Sequence, residues 1–476
     1  MNDWQPLLDD LQRRRARVHE MGGEERRARQ HGAGKLDARE RIAALCEPGS
    51  IVEIGALAGD LPADGFVAVV GRVDGRFVAV GAEDFTVAGG SIGAANSAKR
   101  HRLVTLAGER RIPLVMLLDG AGHRPPMPSD PPSVRSPNDL QALADLRGSV
   151  PIAVGVLGPS AGHGALAAPL ASFTVMTQIA SIFSAGPPLV KASMGEDVDR
   201  MTLGGPSIAL ASGVIHNLAV DDHDALDQIR TWLAYACRSR GVAPAGADGE
   251  RTLDEILEIV PRDPRQAYDM REVIESLADD GVWFEVQPRF GASLLTGLVH
   301  LGGRSVAVIA NQPKVLAGAI DVTAATKAAD FIETMDALGL PLLFLTDNPG
   351  VLAGTVSERS GILRASSRMF LAQRRARSPK LQITLRKAYG FGSSVMAMNP
   401  FDRQVLNVAF PGVTFGAMPA RGADAATGAD AATAAALATA ERESAYRSAA
   451  GLSVDDIIDP RQLRNVVLRA LAVLPD

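Results

Sequence analysis

Residues 82–122, AEDFTVAGGSIGAANSAKRHRLVTLAGERRIPLVMLLDGAG, align without a gap on residues 310–350, ANQPKVLAGAIDVTAATKAADFIETMDALGLPLLFLTDNPG; at this offset of 228, 10 of 41 positions are identical. The matches include Gly90 with Gly318, Ile92 with Ile320, Lys99 with Lys327, Pro113 with Pro341, Leu117 with Leu345, Asp119 with Asp347 and Gly122 with Gly350. The same offset carries Gly162 onto Gly390 and Gly164 onto Gly392. A spacing held over about 80 residues means that one fold is present twice.

Each copy reads as α/β. FVAVV (66–70) and FVAVG (77–81) flank a VDG turn, as paired strands do. A helix is expected over 93–110. IPLVMLLD (112–119) and VPIAVGVLG (150–158) are apolar throughout, as in strands buried on both faces. FGASLLTGLVHLGGRSVAVIAN (290–311) repeats the paired strands. A tandem duplication follows, with domains expected at 1–245 and 246–476 and the boundary in the loop GVAPAGADGE. Residues 2–30 read as one helix with an Arg-rich face, and the Ala-rich stretch 420–450 reads as a further helix.

Composition removes several function classes. The chain has 476 residues, a net charge of −5 and 22% charged residues, which argues against general nucleic-acid binding. Cys46 and Cys237 form no CxxC pair, so neither a zinc ribbon nor a disulfide framework is suggested, and no metal is called for. No apolar run approaches the roughly 20 residues that span a bilayer. The N-terminus is polar and Arg-rich, unlike a signal peptide, so a cytoplasmic protein is expected. There is no P-loop, no GxSxG elbow and no AMKM-type biotinylation site, since VMAM (395–398) lacks the lysine.

Two Gly-bearing turns end neighbouring strands in each copy: DGAG (119–122) and AGHG (161–164), then DNPG (347–350) and YGFG (389–392). Such paired turns can aim main-chain N–H groups at one point, the geometry of an oxyanion hole. Neither turn carries paired glutamates, and no nucleophile stands beside one. His163 is expected to pack its side chain while its amide acts. Donors without a protein base suit enolate chemistry in which the substrates themselves move the proton.

These residues are similar to a known family. GAGKLDARERIAALCEPGSIVEIG (32–55), DFTVAGGSIG (84–93), NQPKVLAGAID (311–321), TDNPGVLAGTVSERSGILR (346–364), RKAYGFGSSVMAM (386–398) and DDIIDPRQLRNVVLRAL (455–471) resemble the β (carboxyltransferase) subunits of biotin-dependent acyl-CoA carboxylases. The resemblance implies tandem crotonase-like ββα-superhelix domains, in hexamers built as trimers of dimers. It implies CO2 transfer from carboxybiotin to the α-carbon of an acyl-CoA. Biotin would arrive on a partner subunit that carries biotin carboxylase and the carboxyl carrier, and coenzyme A would come as part of the substrate. No nucleic acid and no membrane partner are implied.

By the same resemblance, Gly162, His163 and Gly164 would donate to the thioester oxygen, and Phe391 and Gly392 to the ureido oxygen of biotin. The freed biotin nitrogen would take the α-proton. Acyl-CoA would lie on the N-terminal domain against Gly89, Gly90, Ser91, Lys99 and Gly122, with Arg100 and Arg102 near its phosphates. Asn311, Gln312, Gly350 and Gly390 would shape the biotin side in the C-terminal domain. Two departures bear on the acyl pocket: GHRPPMPSDPPS follows DGA where the family shows an acidic, Gly-rich stretch, and Ser393–Ser394 replace a Tyr-Asp pair. Two other readings stand beside the carboxylase: a subunit of a biotin-dependent decarboxylase or transcarboxylase, and a non-catalytic scaffold paralogue.

Overall fold

The structure, a computed structural model, describes residues 4–125, 139–237, 248–399, 401–418 and 430–474. It divides into two compact units, Met1–Cys237 and Arg238–Asp476. The boundary expected at 245/246 lies outside the described residues, as does most of the divergent 122–135 loop.

In the first unit the strands are β1 (Val52–Ile54), β2 (Phe66–Val73), β3 (Arg76–Glu83), β4 (Leu114–Gly120), β5 (Ile152–Ala161), β6 (Phe173–Thr177), β7 (Ser181–Phe183) and β8 (Asn217–Ala219). The sheet runs β1-β2-β3-β4-β5-β6-β8, with β7 paired to the end of β5. In the second unit β9 (Trp283–Glu285), β10 (Leu294–Leu301), β11 (Arg304–Asn311), β12 (Leu342–Asn348), β13 (Lys380–Tyr389), β14 (Gln404–Ala409), β15 (Thr414–Gly416) and β16 (Asp456–Ile457) repeat that order, with β15 on β13. The first two ladders of each sheet are antiparallel and the rest parallel. From β2 to β5 every strand boundary keeps the offset of 228: β2, β3, β4 and β5 map onto β10, β11, β12 and β13 at both ends.

Local chemistry explains the elements. Asp74 and Gly75 take positive φ, as a two-residue hairpin turn requires, and close β2 on β3 in the register Val73↔Arg76. Every residue of β4 and β12 is buried, the mark of a parallel strand covered on both faces. Helices α1 (Gln5–His19) and α2 (Glu24–Gly32) replace the single helix expected over 2–30. The chain leaves helical geometry at Met21 and Gly23, both at positive φ, and the linker is held by Thr86: the Gly22 amide donates to Thr86 Oγ1 at 3.0 Å, and a Cβ on Gly22 would land on the Thr86 carbonyl oxygen. Helix α3 (Ala38–Leu45) starts with a capping box from Asp37 and Glu40. The long helices that follow β3 and β11, α4 (Ala94–Arg110) and its counterpart Val322–Leu338, bear out the helix expected there. The Ala-rich stretch contains the helices Ala431–Arg442 and Ser444–Ala450, while 419–429 lie outside the described residues.

Candidate active site

The geometry of interest sits where β5 and β13 end. Ala161 closes β5 in extended backbone, and Gly162 turns the chain at φ +55 into the short helix Gly162–Ala165. Tyr389 closes β13, and Gly390 does the same at φ +58 into Gly390–Val395. Glycine takes that left-handed region without a Cβ penalty. The first amides of a helix have no acceptor within it, so those of His163 and Gly164, and of Phe391 and Gly392, are donors left by the helix.

Neighbouring turns pack tightly against these. A Cβ on Gly122 would come within 2.8 Å of the Ala161 oxygen, and one on Gly392 within 2.9 Å of Gly350 Cα. Gly122 accepts from the Ile92 amide at 2.8 Å, and Gly350 from the Ile320 amide at 3.2 Å, so each turn is tied to the Gly-rich segment before it. Asn348 accepts from the Gly350 amide at 2.7 Å, and its Nδ2 is a buried donor without a partner among the described residues, 2.9 Å from where a Gly392 Cβ would stand.

Beneath the turns lie buried charges. Asp119 and Asp347, duplicated at the ends of β4 and β12, are both fully buried. Asp119 binds Lys35 Nζ at 2.8 Å, Arg41 Nη1 at 2.9 Å and Gln30 Nε2 at 2.8 Å, and Arg41 also reaches Asp222 at 2.7 Å. Asp347 takes Arg386 Nε at 2.6 Å, and Arg386 stacks over Tyr268. Burial pulls the Lys35 ammonium below its ordinary value, against the opposing charge of Asp119. In the first unit Glu83 accepts the Asp119 amide and ion-pairs with Arg100. At the corresponding position in the second unit Asn311 accepts the Asp347 amide at 3.2 Å and donates to Gly318. The offset aligned Asp119 with Asp347 but gave them no role; a charged residue ending an all-apolar strand is the signal for such a network.

Several residues expected in the site have other tasks. Lys99 is buried, its ammonium capped by the carbonyls of Ala63 and Phe66, and burial lowers its pKa to about 8. It does not face a ligand phosphate, and neither does buried Arg100; Arg102 alone of the three is exposed. The duplicate Lys327 points at the Gln287 carbonyl, with its pKa lowered by burial to about 7. Ser91 is buried, bonded to Ala88 and Arg124. Asn311 and Gln312 are fully buried, Gln312 spanning Asp269 and the Met270 amide, so they act on the turn from behind. Gly89 and Gly90 form a left-handed pair against β4. Phe391 is 52% exposed, and His163 places Nε2 on Asp139 at 2.6 Å.

A cavity of about 630 Å³ is lined by Arg26, Arg29, Lys35, Phe85, Gly89 and Gly158 among others; it holds no residue of the turns, but Gly89 in its wall accepts from the Ala121 amide at 2.9 Å. A larger groove of about 910 Å³, between α4 and the helix Asp139–Leu146, lies away from them and includes no residue of the turns. Among the described residues His31, Asp37 and Glu40 group as metal ligands do, but Asp37 caps α3 and pairs with Arg27, and Glu40 holds His31.

The carboxyl transferase domain model matches residues 29–475. The chain belongs to the carboxyl transferase family. Relatives of this carboxyl transferase include the propionyl-CoA carboxylase carboxyltransferase subunit of Haloferax mediterranei, 34% identical with 98% of this chain and 96% of the relative covered. The methylmalonyl-CoA decarboxylase subunit alpha of Veillonella parvula is also 34% identical, with 99% and 96% covered. So is the methylmalonyl-CoA carboxyltransferase 12S subunit of Propionibacterium freudenreichii subsp. shermanii, with 98% and 93% covered. The crystal structure of transcarboxylase 12S, a hexamer with methylmalonyl-coenzyme A bound, superimposes with a TM-score of 0.90 at 32% identity, covering 99% of this chain and 96% of that one. The fold is therefore the duplicated crotonase-like α/β fold, and the protein is an enzyme of the biotin-dependent carboxyltransferase family. Among the described residues, no helix of this carboxyl transferase is long and apolar enough to cross a membrane.

Proposed function

We propose that this carboxyl transferase moves CO2 from carboxybiotin to the α-carbon of an acyl-CoA. The observation that carries the reading is the repeated strand-end turn: Gly162 and Gly390, both at positive φ, each start a short helix, and the first amides of a helix have no acceptor within it. Removing the α-proton of a thioester places negative charge on its oxygen. Releasing CO2 from a ureido nitrogen places charge on the ureido oxygen. Amide donors fixed before the reaction stabilise such charge without reorganising, and each can contribute about 3–4 kcal/mol.

In this reading His163 and Gly164 hold the thioester oxygen, and the first unit is the acyl-CoA side. The cavity beside Gly89 suits coenzyme A, because Arg26 and Arg29 offer cations to its phosphates. Phe391 and Gly392 hold the ureido oxygen in the second unit. A turn of amide donors backed by Asn348 Nδ2, which has no partner among the described residues, fits that acceptor. Carboxybiotin supplies the CO2 when a partner subunit delivers it. A hexamer built as a trimer of dimers is the assembly we propose, on the likeness to transcarboxylase 12S.

The test is reconstitution. The chain alone should carboxylate nothing; with a biotin carboxylase, a biotinylated carrier, ATP and bicarbonate it should carboxylate at least one of a panel of acyl-CoAs. A carboxylated acyl-CoA should also drive carboxylation of free biotin in reverse. Saturable acyl-CoA binding with no transfer in either direction overturns the proposal. Because a carboxylase, a decarboxylase and a transcarboxylase subunit stand at the same 34% identity, decarboxylase or transcarboxylase use of the same chemistry is a second reading, and the partner that restores turnover separates it.

A further inference from the structure

The two strand-end turns rest on different side chains in one equivalent slot. In the first unit a Cβ on Gly164 would come within 3.0 Å of Glu83 Oε1; in the second, a Cβ on its counterpart Gly392 would come within 2.9 Å of Asn348 Nδ2. A carboxyl oxygen therefore stands against the acyl-side turn and a carboxamide N–H against the biotin-side turn. The exchange is reciprocal. Gly120 is the counterpart of Asn348, and a Cβ there would lie 2.7 Å from Glu83 Oε2. Asn311, one methylene shorter, is the counterpart of Glu83. Glu83 accepts the Asp119 amide at 2.6 Å as Asn311 accepts the Asp347 amide at 3.2 Å. The room that the longer Glu83 side chain fills in the first unit is taken by Asn348 in the second.

Geometry fixes which way Asn348 points. It ends β12 past a register shift after Thr346, which sets it opposite Ala388, two residues before Gly390. Only an oxygen can accept the Gly350 amide at 2.7 Å, so Oδ1 faces that turn and the NH2 end faces Gly392. Asn348 is fully buried, and its Nδ2 has no acceptor among the described residues. A buried donor left without an acceptor costs free energy. Here its positive end lies against Gly392, whose amide is one of the donors of the turn. The charges differ as well. Glu83 is ion-paired with Arg100, whose counterpart is the apolar Ala328. An anion in the second slot would have no such cation, since Arg386 and Lys387 both face Asp347.

We propose that the group in this slot tells the two turns apart, with Asn348 as the positioning residue of the biotin side: Oδ1 holds the Gly350 turn, and the NH2 end keeps a neutral, donor-bearing surface beneath Gly392. The proposal rests on the reading of that turn as the hole for the ureido oxygen. Negative charge gathers on that oxygen only as CO2 leaves. A dipole with its positive end toward the turn therefore favours the transition state over bound carboxybiotin. Asn348 acts through Gly350 and Gly392, and its effect belongs in kcat rather than in substrate binding.

The experiment separates charge from packing. The full chain is given free biotin and the carboxylated acyl-CoA that wild type makes in the reconstituted reaction, and kcat and KM for biotin are measured at about pH 6 and about pH 8. Asn348→Asp keeps the shape and the acceptor for Gly350 but puts a carboxyl under Gly392. Its kcat should fall by about 10- to 100-fold at the higher pH, with KM for biotin changed less than about threefold. The introduced carboxyl is buried beside Asp347, which raises its pKa, so it takes up a proton as pH falls. The ratio of variant to wild-type kcat should therefore recover toward the lower pH. Asn348→Gly, which copies Gly120, removes the donor without adding charge; its kcat should fall by about 10-fold, equally at both pH values. Should Asn348→Asp fail to fold, Asn348→Gly carries the test through its kcat and KM. Unchanged kcat in either folded variant overturns Asn348 as the positioning residue and leaves the carboxyltransferase reading intact. A loss in Asn348→Asp that is the same at both pH values overturns it equally. A wild-type chain that carboxylates no acyl-CoA with any partner overturns both.

Discussion

At the scale of the residue, Gly392 is the sharpest probe of the biotin side. A Cβ there would meet Asn348 Nδ2 and Gly350 Cα at 2.9 Å, so Gly392→Ala must displace either the helix start or the turn opposite. Carboxylation of free biotin driven by a carboxylated acyl-CoA should fall by about 100-fold or more, while acyl-CoA binding is kept. Assaying both activities on one preparation checks this.

Lys327, the counterpart of Lys99, tests the burial of a lysine cation. Its folded pKa of about 7 lies below the ordinary value of 10.5, so between those values the unfolded chain binds more protons and stability rises with pH. The cost of burying the cation is present below about pH 7 and is relieved as pH climbs toward 10.5. Lys327→Met removes that cost, so its Tm relative to wild type should be highest near pH 6 and decline as pH rises to 10. Thermal melts of both proteins across that range measure the difference; one that widens with pH would refute the buried-cation account.

At the scale of the element, the break between α1 and α2 depends on Gly22. Gly22→Ala places a methyl on the Thr86 carbonyl and removes room for the bond from the Gly22 amide, a clash in a packed site that should cost about 1–3 kcal/mol. Gly32→Ala, at the end of α2 with nothing near its Cβ, should be neutral or stabilise by up to about 1 kcal/mol. Chemical denaturation of the two variants separates the cases. The repeated strands and the long helix after each hairpin were legible because their periodicity is local. The division of residues 2–30 was not, because Thr86, which holds the linker, is 64 residues away.

At the scale of the whole molecule, each unit has its own apolar core: residues such as Leu103, Met116 and Val154 in the first, and Val308, Leu345 and Ile383 in the second. Segments 1–237 and 248–476, expressed separately, should each unfold cooperatively, since a domain with its own core can fold alone. If the first unit is the acyl-CoA side, only segment 1–237 should bind acyl-CoA in calorimetry. Binding by 248–476 instead would reverse the assignment of the two sides.

The sequence by itself determined the duplication, the α/β class, the family and the glycine bends, since identity at a constant offset and apolar periodicity are properties of the linear chain. Only the tertiary structure decided which polar residues are free to act. Lys99 and Arg100 look like surface cations beside a Gly-rich turn, yet one caps the carbonyls of Ala63 and Phe66 and the other neutralises Glu83. Asp139 gained its partner His163 across 24 residues. A charged side chain declares its task only when burial and its neighbours are known, because the energy of a charge depends on its surroundings far more than on its place in the chain.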